Sequence, residues 1–230
     1  MKTILVTGAS GFLGQAVTSL FLQKDYKVIA LVHNEKSRHR IPSHDHLQTE
    51  VVDLRNEAQV ASLITNLIDQ FKVIDGAILL AGGFTAGTIT TTSTEDIHEQ
   101  IALNFDTAYT VIKRLYPYFL QNNSGRLILT GSQPPLMPKK AKAMIAYTLS
   151  KSLLFQLAQI LNEEAKGTNV VATVVVPSTI DTKANREAMP QADTTKWVKP
   201  EQIAELIEFA VSDKAEPLRE PVLKIYHKES

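Results

Sequence analysis

Tyr147 and Lys151 stand four residues apart in the stretch Tyr147-Thr148-Leu149-Ser150-Lys151. On a helix, positions i and i+4 share a face, so the phenol and the ammonium would point into one crevice. A free tyrosine titrates near pH ~10. A close cation favours the phenolate and moves it towards the working range of a general acid or base. The same spacing also arises by chance, as a half-buried tyrosine beside a solvated lysine. What lifts this pair above that reading is its place, downstream of the glycine clusters Thr7-Gly8-Ala9-Ser10-Gly11-Phe12-Leu13-Gly14 and Ala81-Gly82-Gly83. In the first cluster the spacing Gly-x-x-Gly-x-x-Gly lies between an apolar run and a helical pattern. There, glycines permit a tight turn and let backbone amides approach a pyrophosphate at the positive end of the helix.

These groups must be held by the elements around them. Short apolar runs alternate with helical patterns along the whole chain. Ile4 to Val6, Val28 to Val32, Thr49 to Val52, Ala77 to Leu80, Leu127 to Thr130, Val170 to Val176 and Val222 to Tyr226 read as seven strands. Between them, Phe12 to Lys24, Glu57 to Phe71, a stretch from the cap Ser93 towards Pro117, Met144 to Lys166 and a segment opened by Pro200 read as helices. Uninterrupted apolar strands separated by helices predict an α/β, Rossmann-type, doubly wound, mostly parallel seven-stranded sheet in a single domain, residues 1–230. Ligands of such a sheet sit beyond the carboxyl ends of its strands. The irregular stretches Ser132 to Ala143 and about 177–199 both follow strands. They are expected to overhang that crevice, the second as a mobile substrate loop with Met189 and Trp197 as apolar contacts or core residues.

The strand ends carry further expectations. An acid after the second strand would accept hydrogen bonds from the adenosine ribose and favour NAD, whereas a basic residue would hold a 2′-phosphate. Here the strand ends in His33-Asn34, with Arg38 and Arg40 beyond, which favours NADP(H) over NAD(H). Asp53-Leu54 after the third strand would meet the adenine edge, or Asp53 would help to cap the next helix.

Composition excludes several classes. The 24 basic and 24 acidic side chains cancel, which argues against a nucleic-acid partner. With no cysteine there is neither a disulfide nor a thiolate metal site, and no metal is expected. The apolar run at the start is too short for a signal peptide, and no later stretch is long enough for a membrane span. A cytoplasmic protein without membrane contact is the expectation.

Thr7 to Gly14, Asp53-Leu54, Ala81-Gly82-Gly83, Asn104, Ser132, Tyr147/Lys151 and Pro177 to Thr182 together resemble the short-chain dehydrogenase/reductases, in order and near-spacing over essentially the whole chain. The resemblance implies an NAD(P)(H)-dependent oxidoreductase that moves hydride between nicotinamide and a carbonyl or alcohol. Tyr147 would be its acid/base, and Lys151 would lower the Tyr147 pKa and bind the nicotinamide ribose. Ser132 would hydrogen-bond the carbonyl oxygen, and Asn104 would hold a water relaying protons to Lys151. Ser132 as a turn cap and Asn104 as an interhelical contact are the plainer readings of those two. Gly8, Ser10, Gly11, Phe12, Leu13, Gly14, His33, Asp53, Leu54, Ala81, Gly82, Gly83, Tyr147, Lys151, Pro177 and Thr179 would contact the dinucleotide.

Pro177 to Thr182, continuing through Asn185-Arg186, Met189-Pro190, Ala192-Asp193 and Trp197, together with Ile74 to Ile78 and Phe84, is similar to dihydropteridine reductase and its bacterial relatives. That likeness implies a quinonoid pterin as an alternative substrate. Ser132, Asn104 and the missing acid at His33 depart from that group and leave a ketone or aldehyde at least level with the pterin. A dinucleotide-sensing regulator without chemistry is a third reading, but a sensor needs only the glycine loop. Leu149, Leu153, Leu154, Phe155, Leu157, Ile160 and Leu161 spread over more than one face of their helix, as in a homodimer or homotetramer.

Overall fold

Apolar runs of four to six residues covered on both sides settle into a parallel sheet, because only crossover helices can cover both faces. The computed structural model describes residues 1–228. Its strands are β1 (Thr3–Thr7), β2 (Lys27–Val32), β3 (Leu47–Val51), β4 (Gly76–Leu79), β5 (Ser124–Thr130), β6 (Asn169–Pro177) and β7 (Val222–Ile225). They lie in the order β3-β2-β1-β4-β5-β6-β7, every neighbouring pair parallel. The sheet is therefore wholly rather than mostly parallel. Its order reverses between β1 and β4, and a crevice opens there beyond the carboxyl ends.

Alternation along β1 divides the core. Ile4 and Val6 face α1 (Phe12–Gln23) and α9 (Pro200–Val211), packing with Val17, Phe21, Ile203 and Ile207. Leu5 faces the other layer, with Val60, Ile64 and Leu67 of α3 (Glu57–Phe71), Val111, Leu115 and Phe119 of α5 (Thr107–Gln121), and Leu154 of α7 (Ile145–Glu164). Each fully buried aliphatic side chain of this kind contributes about 1.5–3 kcal/mol. α3 starts where the Asn56 side chain accepts from Gln59 N. α4 (Thr94–Ile101) starts on a reciprocal cap between Ser93 and Asp96. Its orphan amides are thereby met, and the Ser93 hydrogen bonds hold the Asp96 carboxyl below the usual range.

Two expectations change. The helical stretch does not stop near Pro117. α5 carries that proline inside it and runs on to Gln121. The ring removes one ladder bond, but Leu115, Tyr116 and Phe119 on the same helix are buried, and that packing outweighs the loss. The stretch is also not one α-helix, since α4 and α5 are joined by a π turn, Ala102–Asp106, with Asn104 at its middle. The segment 177–199 is ordered within itself. Thr182 caps α8 (Lys183–Ala188), Arg186 pairs with Asp181 through Nε and Nη2 at 2.6 and 2.8 Å, and Ile180 bridges Val198. Trp197 takes the core alternative at 4% exposure, while Met189 stays exposed. Short helices α2 (Glu35–Arg38) and α6 (Pro138–Ala141) complete the chain. Among the described residues no helix is long and apolar enough to cross a membrane.

Candidate functional site

The exits of β1 and β4 are stitched together. Thr7 Oγ1 accepts from Leu80 N and Ala81 N at 3.0 and 3.2 Å. Gly8, at φ +63°, passes so close that a Cβ there would lie 2.9 Å from Ala81 N. A Cβ on Gly14 would overlap Gly8 O, so the loop folds tightly onto the first turn of α1. No side chain caps α1, and its first turn has no acid. The leading amides of α1 therefore keep their positive end for an anion.

Beside this turn lies a cleft of about 400 Å3 lined by Gly8, Ser10, Gly11, His33, Asp53, Leu54, Ala81 and Gly82, all expected from the sequence. Leu31, Val32, Val52, Leu80, Leu103 and Thr107 add an apolar wall with one hydroxyl, and Arg55 and Glu99 stand at the same cleft. Arg55 Nη1 reaches Glu99 at 3.1 Å from the opposite wall, and its Nε lies 3.8 Å from Asp53. The sequence reading missed this bridge, since nothing in the spacing of residues 55 and 99 links them. The Asp53 side chain also accepts from Arg55 N, so it shapes the turn, while Asn56 provides the helix cap. Phe12 and Leu13 do not line the cleft. Phe12 is exposed and Leu13 packs on the α1 side of the core, so only their main chain faces an anion. Grooves of similar size lie along α1 near Ile41 to His44 and near the chain start, but neither is lined by a glycine.

At Gly82 the cleft meets the polar groups of α7 and β5. A Cβ on Gly82 would sit 2.5 Å from Asn104 Oδ1 and 3.4 Å from Lys151 Nζ. Asn104 is 1% exposed. Its Oδ1 accepts from Gly83 N, and its Nδ2 faces three acceptors at 3.1–3.2 Å: Gly83 O, Gln100 Oε1 and Ser150 Oγ. The side chain is thus spent on holding the β4 exit to α7. Buried Gln100 continues the network to Thr85 Oγ1, and Ser150 continues it to Tyr147 O at 2.8 Å.

Lys151 is buried, and its Nζ donates to Thr130 O at 2.8 Å. Removal from water lowers its pKa from 10.5 to about 8. Tyr147 is half-buried at the surface of the crevice, and burial raises its pKa against the opposing pull of the Ser132 hydroxyl. Ser132 acts on the phenol from nearby, yet its buried Oγ is in hydrogen-bond geometry with no protein atom. Phe84 packs edge-on against Tyr147 with ring centroids 5.1 Å apart. Pro177 and Thr179 lie beyond the cleft at the end of β6, where Thr179 O accepts from Val198 N. A tight glycine turn at an uncapped helix start, a cleft of about 400 Å3 and an unpartnered Ser132 hydroxyl near half-buried Tyr147 and buried Lys151 together fit a dinucleotide. Among the described residues no cluster of metal ligands occurs.

Comparison with known proteins shows the family. The family model described as short chain dehydrogenase matches residues 2–193. An uncharacterized oxidoreductase of Staphylococcus epidermidis is 25% identical over 218 residues, 92% of this chain and 91% of its own. The dihydropteridine reductase of Dictyostelium discoideum is 26% identical over 227 residues, 97% of this chain and 94% of its own. Among solved structures, ElxO with NADP bound aligns with a TM-score of 0.91 at 20% identity, over 99% of this chain and 98% of that one, which shows a shared fold.

The buried ammonium has a measurable consequence. Its pKa of about 8, against 10.5 in water, withholds roughly 3 kcal/mol of stability at neutral pH. The unfolded chain binds the proton more tightly, so the penalty is full below pH 8 and fades as pH rises towards 10.5. Lys151→Met loses one hydrogen bond to Thr130 O but removes that penalty. The dinucleotide-free variant is expected to be about 1–3 kcal/mol more stable than the parent at pH 7. Denaturant melts from pH 7 to 10 should show the gain shrinking. A variant less stable at pH 7, or a gain that ignores pH, would contradict the account of Lys151.

Proposed function

We propose, from the premise that the chain belongs to the short-chain dehydrogenase family and is a nicotinamide-dependent oxidoreductase, that its substrate is a carbonyl/alcohol pair and that Tyr147 is the general acid and base. The observation that carries this reading is the orphaned, buried Ser132 hydroxyl beside the Tyr147 phenol. When bound, the dinucleotide supplies or accepts the hydride. Ser132 Oγ–H donates to the substrate oxygen, where negative charge grows as the carbonyl is reduced. Tyr147 gives that oxygen its proton in reduction and takes it back in oxidation. Burial keeps the phenol protonated, as an acid must be before it acts. Lys151 turns from Thr130 O to the nicotinamide ribose and phenol. There its charge stabilises the phenolate that protonation of the substrate leaves behind. Asn104 and Ser150 hold this helix to the β4 exit, and Asn104, at the middle of the π turn, would also hold the water that relays protons to Lys151.

The cleft residues expected from the sequence take the dinucleotide, with the α1 amides on the pyrophosphate and Asp53, Leu54 and Arg55 at the adenine. Pro177 and Thr179 start the substrate loop near the nicotinamide. His33 stands exposed just after β2, and Arg38 keeps a buried Nε without a partner while its other nitrogens meet Thr49 O and Glu35. These basic groups support NADP(H) over NAD(H). Reduction of a quinonoid pterin is a second reading, favoured by the likeness to the Dictyostelium enzyme. Leu149, Leu153 and Ile160 on α7 and Tyr109 on α5 are exposed apolar side chains. They support a homodimer or larger homo-oligomer.

The acid/base assignment is tested by variants on both substrate classes. Tyr147→Phe should keep the fold and dinucleotide binding and slow turnover by about 10²-fold or more. Ser132→Ala should slow a ketone by about 10²-fold and a quinonoid pterin hardly at all, since a conjugated ring spreads the charge. Wild-type rates in Tyr147→Phe would sink the mechanism. Fluorescence titration is expected to show NADPH bound more tightly than NADH, and His33→Asp should move the preference towards NADH; tighter NADH binding by the parent would refute the assignment. Light scattering should give a mass at least twice 25.4 kDa. A monomer at micromolar concentration would remove the oligomer reading.

A further inference from the structure

Three charged side chains line the dinucleotide cleft, and all three belong to one chain of contacts. They are Asp53, Arg55 and Glu99; among the described residues that face the cleft, only His33 adds another titratable group. Asp53 and Arg55 sit in the turn after β3. There Asp53 Oδ1 accepts from Arg55 N at 3.0 Å and lies 3.8 Å from Arg55 Nε, so the root of the arginine is held. Glu99 belongs to α4 on the opposite wall. Arg55 Nη1 donates to Glu99 Oε1 at 3.1 Å, and the guanidinium thereby joins the two walls.

Helical spacing puts Glu99 in place for this contact. Glu99, Leu103 and Thr107 follow at intervals of four and all line the cleft, Glu99 as the first of the row. The bridge is not a fixture of the core, since 44% of the Arg55 side chain and 64% of the Glu99 side chain are exposed. An ion pair in that much water adds little to the fold and breaks readily. Its place gives it another effect. A ligand that fills the cleft must either displace the guanidinium or lie beneath it.

Resting on the dinucleotide reading of this cleft, we infer that Arg55 and Glu99 form a latch on the adenosine half of the cofactor. The pair parts to admit the nucleoside and closes again over it. Asp53 keeps the freed guanidinium close to its partner, so the latch recloses without a search. Exchange of the dinucleotide is then limited by this pair, while the glycine turn and the α1 amides hold the pyrophosphate.

Stopped-flow mixing with NADPH, followed by nicotinamide fluorescence, measures association, and a chase with excess NADP+ measures dissociation. Glu99→Gln keeps the size of the side chain and removes the pair. It should speed both steps by about two- to fivefold, the scale of an exposed ion pair. Loss of one negative charge, acting only through the field, would instead speed association of the anionic cofactor and slow its release. Faster release is therefore the diagnostic result. Arg55→Gln should also speed release, and the double variant should go no faster than either single one, because each opens the same latch. Added salt should raise the release rate of the parent towards that of Glu99→Gln and leave the variant almost unmoved. Release that is unchanged or slower in Glu99→Gln, or effects that add in the double variant, overturns the latch. A parent that binds no NADPH overturns the dinucleotide reading together with it, whereas tight binding with parent-like release in Glu99→Gln sinks the latch alone.

Discussion

The close approach of β1 to β4 is the constraint on which everything else in this molecule rests. Thr7 Oγ1 ties together two amides of the β4 exit, and Gly8 passes Ala81 with no space for a side chain. Because the sheet order reverses here, α1 leaves to one side and the chain after β4 to the other. The gap between them is the cleft. A bulkier residue at Gly8 would push the strand exits apart, and the α1 amides would lose their aim at the place where an anion can sit. Gly82 repeats the constraint one step further on, since the space its missing Cβ leaves is what Asn104 and Lys151 crowd into.

The polar groups around that space are unequal in what they cost. The Asn104 amide has all its hydrogen-bonding capacity met by Gly83, Gln100 and Ser150, so it is cheap to bury and stiffens the π turn. Lys151 and Ser132 are the opposite case. The ammonium has one carbonyl partner inside the protein and the Ser132 hydroxyl none. Unmet buried donors of this kind lower stability and are kept where a ligand completes them. At the β5 exit the Thr130 and Ser132 hydroxyls are thus both left unmatched, close to Tyr147 and Lys151.

Much of this was legible in the sequence because it follows from local rules. Ile4 to Val6 and Val170 to Val176 could only be covered strands, and the Gly8 to Gly14 spacing could only serve a tight strand-to-helix turn. The helix from Glu57 to Phe71 was bounded correctly because Asn56 and the apolar period mark it. What stayed hidden depends on partners far apart in the chain. Arg55 and Glu99 meet across the cleft, Thr7 reaches Leu80, and Gln100 links Thr85 to Asn104, none at a spacing that a sequence period reveals. Pro117 misled for the complementary reason. A local rule ends a helix there, whereas the buried face of Leu115, Tyr116 and Phe119 carries it on. Trp197 is compatible in sequence with either lid or core, and its burial beside the Ile180–Val198 bridge depends on pairing that no local pattern marks.

The two ends of the cleft are built on different principles, and that difference explains how a common scaffold comes to act on a particular substrate. At the phosphate end, recognition uses backbone amides and glycines, groups that every chain possesses and that only the fold can aim. Nothing there distinguishes one chemistry from another. At the far end, Ser132 and Tyr147 are joined by a segment of irregular structure, with Phe84 arriving from the β4 exit. Such a connection can change in composition without moving the strands that anchor it. Here it holds three lysines and no acid, in a chain whose basic and acidic side chains are equal in number. Sheet packing gives no reason for that bias, since the segment adds almost nothing to either core cluster.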